Sequence, residues 1–251
     1  MAPIKRAPIF STTRRREIRM TTIGILGSGQ VGRSIARAAV INGYDVVIAN
    51  TRGPHTLTDL VEDLGARART ATAAEAAAAG DFVVLAFRYT PGDKLPAEEL
   101  AGKVVLDTNN YMAWRDGSYP ELDSGQKTIH ELRQEMLPAS KVVKAFTHVQ
   151  HHPRQDGPRD ALPGLFQLAR PAGAPDRKAL AVSSDYREAV ELVTRLYDEF
   201  GYDAVDHSPL SKSWRSAPGT PMWRHIVDGQ TREQLVTNLS HAVHPSRRGR
   251  R

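Results

Sequence analysis

Short apolar runs alternate with helical segments along most of this chain. Residues 23–26 and 45–49 read as strands, and residues 82–87 and 103–107 as continuous apolar strands of the buried parallel type. Residues 141–146 predict another strand. Between them, residues 30–41 carry the helical period and stop at Asn42 and Gly43. Residues 58–64 predict a short helix closed by Gly65. Thr72 and Glu75 form a capping box that opens an Ala-rich helix running to Ala79. Residues 91–100 leave room only for a short or irregular helix, and residues 124–137 predict a further one. This repeated βαβ order predicts an α/β fold of Rossmann type, a doubly wound parallel sheet.

After Phe146 the pattern changes. Residues 148–163 are polar, rich in His and Pro, and predict a loop. Residues 165–168, 180–183 and 202–205 predict short strands. Residues 185–200 predict an amphipathic helix with Ser184 as its cap and Gly201 as its stop. From Pro209 interrupted helices follow, and then a helix over 231–242.

The first strand runs into Gly27-Ser28-Gly29-Gln30-Val31-Gly32, which matches G-x-G-x-x-G. The match gains force from its setting, because a strand precedes it and a helix and second strand follow. In such a loop Gly27 makes the turn, Gly29 lets a pyrophosphate approach the backbone, and Gly32 lets helix and strand pack closely. The end of the second strand discriminates the cofactor. An NAD site carries an acid there to hold the ribose 2′-OH. This chain has Asn50, Thr51 and Arg52 instead. Arg52 pairs favourably with a 2′-phosphate and Thr51 can donate its hydroxyl, so NADP(H) is expected. Ligands bind outside the carboxyl ends of such strands. That nominates Ala86, Phe87, Arg88 and Tyr89, then Thr108, Asn109 and Asn110, then Thr147 and His148.

Composition narrows the class. Cysteine is absent, which excludes disulfides and thiol chemistry. No apolar run reaches the roughly 18 residues that span a bilayer. The net charge of +6 is carried by the ends. Six basic residues against Glu17 give residues 1–20 a charge of +5, and four arginines give the last five residues +4, so residues 21–246 sum to −3. The basic ends are expected to be disordered, solvated tails, with no nucleic-acid or membrane partner. Residues 1–20 lack the apolar stretch of a secretory signal, and Met20 stands directly before the first strand. A cytoplasmic protein is expected.

Together the glycine loop, "NTR", "DTNNY", "KVVKAFTHV" and "DAVDHSPLSKSW" resemble the coenzyme F420-dependent NADP oxidoreductases over about residues 21–223. The resemblance implies hydride transfer between NADP(H) and coenzyme F420, with the deazaflavin ring against the nicotinamide. It implies an NADP-binding domain over 21–164, a small C-terminal α/β domain over 165–246 that covers the active site, and a homodimer. It places Phe87 and Tyr89 along the cofactor. Thr147, His148 and Val149 would meet the deazaflavin, and Ser211 and Ser213 would line the same pocket. Thr147 stands where the family often carries Asn.

Hydride transfer between two ring systems needs stacking and exclusion of water rather than a nucleophile. Reduction of a carbonyl or imine also needs a proton donor. His148, and next to it Lys144, are the candidates. Other acceptors remain open at this point: another flavin, a metal chelate, or a C=N or C=O compound. A dinucleotide-binding protein without turnover also remains open. His148, His151 and His152 are expected to form a polar loop rather than a metal site.

Overall fold

A computed structural model describes residues 21–153 and 162–247. The expected basic tails were 1–20 and 247–251; apart from Arg247, which ends a 3-10 turn, they lie outside the described residues, as do positions 154–161 of the expected loop. Among the described residues eight strands form one sheet: β1 (Thr22–Leu26), β2 (Asp45–Ala49), β3 (Ala68–Thr70), β4 (Phe82–Leu85), β5 (Val104–Asp107), β6 (Lys141–Lys144), β7 (Ala179–Ser184) and β8 (Asp203–Asp206). Their order is β3-β2-β1-β4-β5-β6-β7-β8. All neighbours are parallel except β6 and β7, which pair antiparallel through Val143–Ser184 and Lys144–Ser183. The sheet is therefore doubly wound about β1 and β4, and the C-terminal strands extend it rather than forming a sheet of their own.

Apolar side chains on both faces explain why β1, β2 and β4 are buried nearly throughout. Alternate positions feed two cores. Ile25, Ile48, Val84 and Val143 pack with helices α1 (Gln30–Ile41) and α2 (Thr58–Leu64) on one face. Leu26, Val47, Val83 and Val105 pack on the other face with α3 (Ala73–Ala79) and with Leu100, which ends α4 (Ala97–Leu100). Short helices α5 (Ala113–Asp116) and α6 (Pro120–Asp123) lead to α7 (Ile129–Met136). The helix expected over 124–137 thus begins at residue 129, where Thr128 and Glu131 form a capping box.

Three further expectations are corrected. The strand read at 165–168 is instead a helical turn, α8 (Gly164–Gln167), fixed by the Tyr202 hydroxyl on the Leu165 carbonyl at 2.7 Å. A four-residue apolar run does not distinguish the two states by its pattern. The strand read as 141–146 stops at Lys144, and Phe146 turns left-handed at φ +57°. The Tyr197 hydroxyl accepts from its N–H at 2.9 Å, and the His151 ring donates to its carbonyl at 2.9 Å. Ser184 does not cap the next helix, α9 (Arg187–Glu199), whose N-cap is Tyr186; its hydroxyl donates to the Val142 carbonyl at 2.6 Å. Strand β3 had no signal in the sequence pattern. After β8 come 3-10 turns over Leu210–Ser216 and Pro221–His225, then α10 (Arg232–Ser240), and a last turn over Pro245–Arg247.

Candidate active site

Strand β1 delivers the chain to Gly27, whose φ of +112° an L side chain rarely adopts. A Cβ on Gly32 would sit 1.9 Å from the Gly27 carbonyl oxygen. These two glycines fold the loop onto the start of α1. Gly29 differs: nothing lies within 4 Å of the Cβ it would carry. It is the N-cap of α1, with no side-chain cap and no acid in the first turn. Helices α3, α7 and α10 all have full capping boxes. The free N–H groups of α1 therefore open onto space at the positive end of the helix dipole, which fits a pyrophosphate. Gln30 is exposed there and Ser28 and Val31 are half-buried.

The turn after β2 is built around Asn50. Its Oδ1 accepts from the Arg52 N–H at 2.9 Å. Its Nδ2 donates to Thr56 Oγ1 at 2.9 Å and to Ser28 Oγ at 3.2 Å, tying the turn to the glycine loop. Thr51 and Arg52 are exposed, no acid occupies positions 50–56, and Arg52 makes no ion pair among the described residues. The arrangement suits a phosphate on the adenosine ribose.

A cavity of about 580 Å³ lies at the carboxyl ends of β5 and β6, along the same sheet edge as the glycine loop. Asn109 and Asn110 follow β5 into its wall, Lys144 enters from β6, His130 from α7, and Ser213 and Trp214 from the first C-terminal turn. Beneath it lies a buried ionic cluster. Asp107 ends β5 and is fully buried; the His130 ring reaches its Oδ2 with Nδ1 at 3.1 Å, and Arg133 Nε lies 3.7 Å from the same oxygen. The Arg133 guanidinium also lies over the rings of Phe87 and Tyr89, at 5.3 and 5.1 Å.

Burial alone would raise the Asp107 pKa, but the hydrogen bond and charge of His130, with Arg133 behind them, hold it below its ordinary value. Burial lowers that of His130, against the hydrogen bond and charge of Asp107. An ionised carboxylate only accepts, so Nδ1 of that ring carries the hydrogen. Lys144 is buried, and burial pushes it from 10.5 to about 7, opposed only by Asp107. Its ammonium donates to the Ser213 carbonyl at 2.8 Å.

The site residues expected from sequence are placed differently by the fold. Asn109 and Ser213 reach the cavity, and Asn109 donates to the Phe87 carbonyl at 2.6 Å. Phe87 and Tyr89 present their rings to Arg133, and Arg88 is exposed. Thr147, His148 and Val149 are buried away from the cavity. The expectation that His148 donates a proton does not fit this geometry. Its Nε2 accepts from the Ala181 N–H at 2.9 Å, and burial, with Lys144 second, lowers it to about 3. Thr147 offers its carbonyl to Asn110 Nδ2 at 2.6 Å, and Val149 joins the core. Ser211 is exposed and off the cavity. His151 and His152 bond to the carbonyls of Phe146 and Pro153, and no group of three or more metal-ligating side chains occurs among the described residues.

Sequence reading missed Asp107, His130 and Arg133. One signal was present: an Asp ending an apolar parallel strand, facing a His and an Arg one helical turn apart in the crossover helix.

Residues 22–111 match the family described as NADP oxidoreductase, coenzyme F420-dependent. The chain is 27% identical over 194 residues to the metalloreductase STEAP3 of Rattus norvegicus, covering 76% of this chain and 34% of that protein. It thus spans about a third of the length of that curated relative. Among solved structures, a hypothetical protein of Sinorhizobium meliloti is 26% identical with a TM-score of 0.60, covering 80% of this chain and 91% of that one. A candidate F420-dependent NADP reductase from Arthrobacter sp. fb24 shares the fold at 24% identity and a TM-score of 0.58, covering 77% and 87%. No helix among the described residues is long and apolar enough to cross a membrane. Residues 22–111, which carry the glycine loop and the Asn50–Arg52 turn, are thus similar to the coenzyme F420-dependent NADP oxidoreductases.

Proposed function

We propose that this protein is an NADP(H)-dependent oxidoreductase that transfers hydride between NADP(H) and coenzyme F420. The observation that carries the reading is a continuous edge of the sheet. It begins at Arg52, passes the uncapped start of α1, and ends in the cavity at the carboxyl ends of β5 and β6. NADPH, when bound, supplies the hydride; Gly27–Gly32 would hold its pyrophosphate, and Thr51 and Arg52 its 2′-phosphate. The cavity falls within the 300–1,000 Å³ of typical ligand pockets; Asn109, His130, Lys144 and Ser213 lie in its buried part, and Trp114 stands exposed at its rim. The C-terminal turns carrying Ser213 and Trp214 act as the cover of the site.

The test is optical. Mixed with NADPH and coenzyme F420, the protein should bleach the deazaflavin band, and NADH should serve far less well. NADPH oxidation with a ferric chelate and none with F420 would favour the activity named for the metalloreductase relative. NADPH binding without turnover of any acceptor would leave a dinucleotide-binding protein. The reading includes a homodimer, which light scattering checks.

A further inference from the structure

We propose that His130 is the acid–base residue of the cavity, exchanging a proton with an acceptor that takes up one hydride and one proton. The inference rests on the hydride-transfer reading above and narrows its substrate class. It selects conjugated C=N or C=O acceptors, a deazaflavin among them, over ferric chelates, which take up electrons without a proton.

Three observations carry it. The His130 ring forms part of the cavity wall, and its Nε2 is buried with no hydrogen-bond partner among the described residues. The opposite nitrogen is anchored: Nδ1–H donates to the fully buried Asp107 carboxylate, which fixes the tautomer and leaves the Nε2 lone pair free. The ring is also held in place. It occupies the first turn of α7, behind the capping box of Thr128 and Glu131, while Arg133 one turn later braces the same carboxylate. This is the placement of a histidine whose carboxylate partner orients it toward a reacting group.

The step balances. As hydride from NADPH adds to the acceptor carbon, the π pair of the C=N or C=O bond, shifted through the conjugated C=C where the hydride adds to a deazaflavin ring carbon, moves onto the heteroatom. That atom takes a proton from Nε2 of His130, which has been charged from solvent. In the reverse direction the Nε2 lone pair takes the N–H or O–H proton as the carbon gives up hydride to NADP+.

The test uses His130→Asn, which keeps an N–H near the Nδ1 position for Asp107 and removes Nε2. Its single-turnover rate with NADPH and F420 should fall about 100-fold while NADPH affinity stays unchanged. His130→Gln, which places an uncharged amide near the Nε2 position, should not restore it. A fall of less than about threefold in the Asn variant would overturn the proposal, since general acid–base catalysis contributes far more. A second measurement needs no turnover. Nitrogen NMR of the wild-type protein should show His130 as the Nδ1–H tautomer, with an Nε2 signal that moves when F420 is added; an Nε2–H tautomer would overturn the proposal. If F420 is not reduced at all, the same variants are assayed with 2-methyl-1-pyrroline as the C=N probe. Wild-type activity confined to a ferric chelate would then overturn the proton-coupled class.

Discussion

The Lys144 ammonium donates to the main-chain oxygen of Ser213 at 2.8 Å, joining the end of β6 to a turn 69 residues later. The contact closes one wall of the cavity with a buried cation whose charge depends on pH near neutrality. Below about pH 7 Lys144 is protonated in the folded and the unfolded chain, and the cost of burying it is fully present. Between about 7 and 10.5 the unfolded chain holds a proton that the folded chain has shed, so stability from this group rises with pH across that window. The melting temperature of wild type relative to Lys144→Met should therefore climb from pH 7 to pH 10. A difference that stays flat would show the ammonium to be solvated.

Arg52→Ala should weaken NADPH by roughly 10- to 100-fold, the loss expected for one charge-assisted hydrogen bond. NADH, which lacks the 2′-phosphate, should be affected little. Titrating both nucleotides against both proteins checks this, and equal losses would remove Arg52 from the phosphate site.

Gly29 and Gly32 should respond differently to the same methyl group. Gly29→Ala meets no protein atom, so the melting temperature should hold while NADPH binding falls. Gly32→Ala drives a Cβ into the Gly27 carbonyl, so both should fall. Paired thermal melts and nucleotide titrations separate the two outcomes.

His148→Ala should act on stability rather than on chemistry. It leaves the Ala181 N–H without its buried acceptor, which costs about 1–3 kcal/mol. The rate per folded molecule should stay near wild type. A collapse of the rate at unchanged melting temperature would return His148 to the site.

The nucleotide half of the proposed site was legible in the sequence because that half is local. Gly27–Gly32 and Asn50–Arg52 each act through a few consecutive residues, and the strands around them are apolar on both faces, so their period is unambiguous. The acceptor half is not local. Asp107, His130, Lys144 and Ser213 meet only because β5, α7, β6 and a C-terminal turn converge. The polar segment after β6 looked like a site, yet Phe146 at φ +57° turns the chain and its imidazoles serve the backbone. The strand expected at 165–168 failed for a different reason: four apolar residues carry no period, and the Tyr202 hydroxyl decides their state.

The single antiparallel pairing among the described strands, between β6 and β7, separates the two halves of the proposed site along the chain. It lets the chain leave the nucleotide-binding strands, build β7 and β8 outward, and return the 210–216 turn to the cavity as a separate wall. The residues proposed to hold the dinucleotide and those proposed to face its reaction partner then occupy different stretches of the chain. Substitutions in the returning turn can therefore reshape the cavity wall without touching the glycine loop or Arg52.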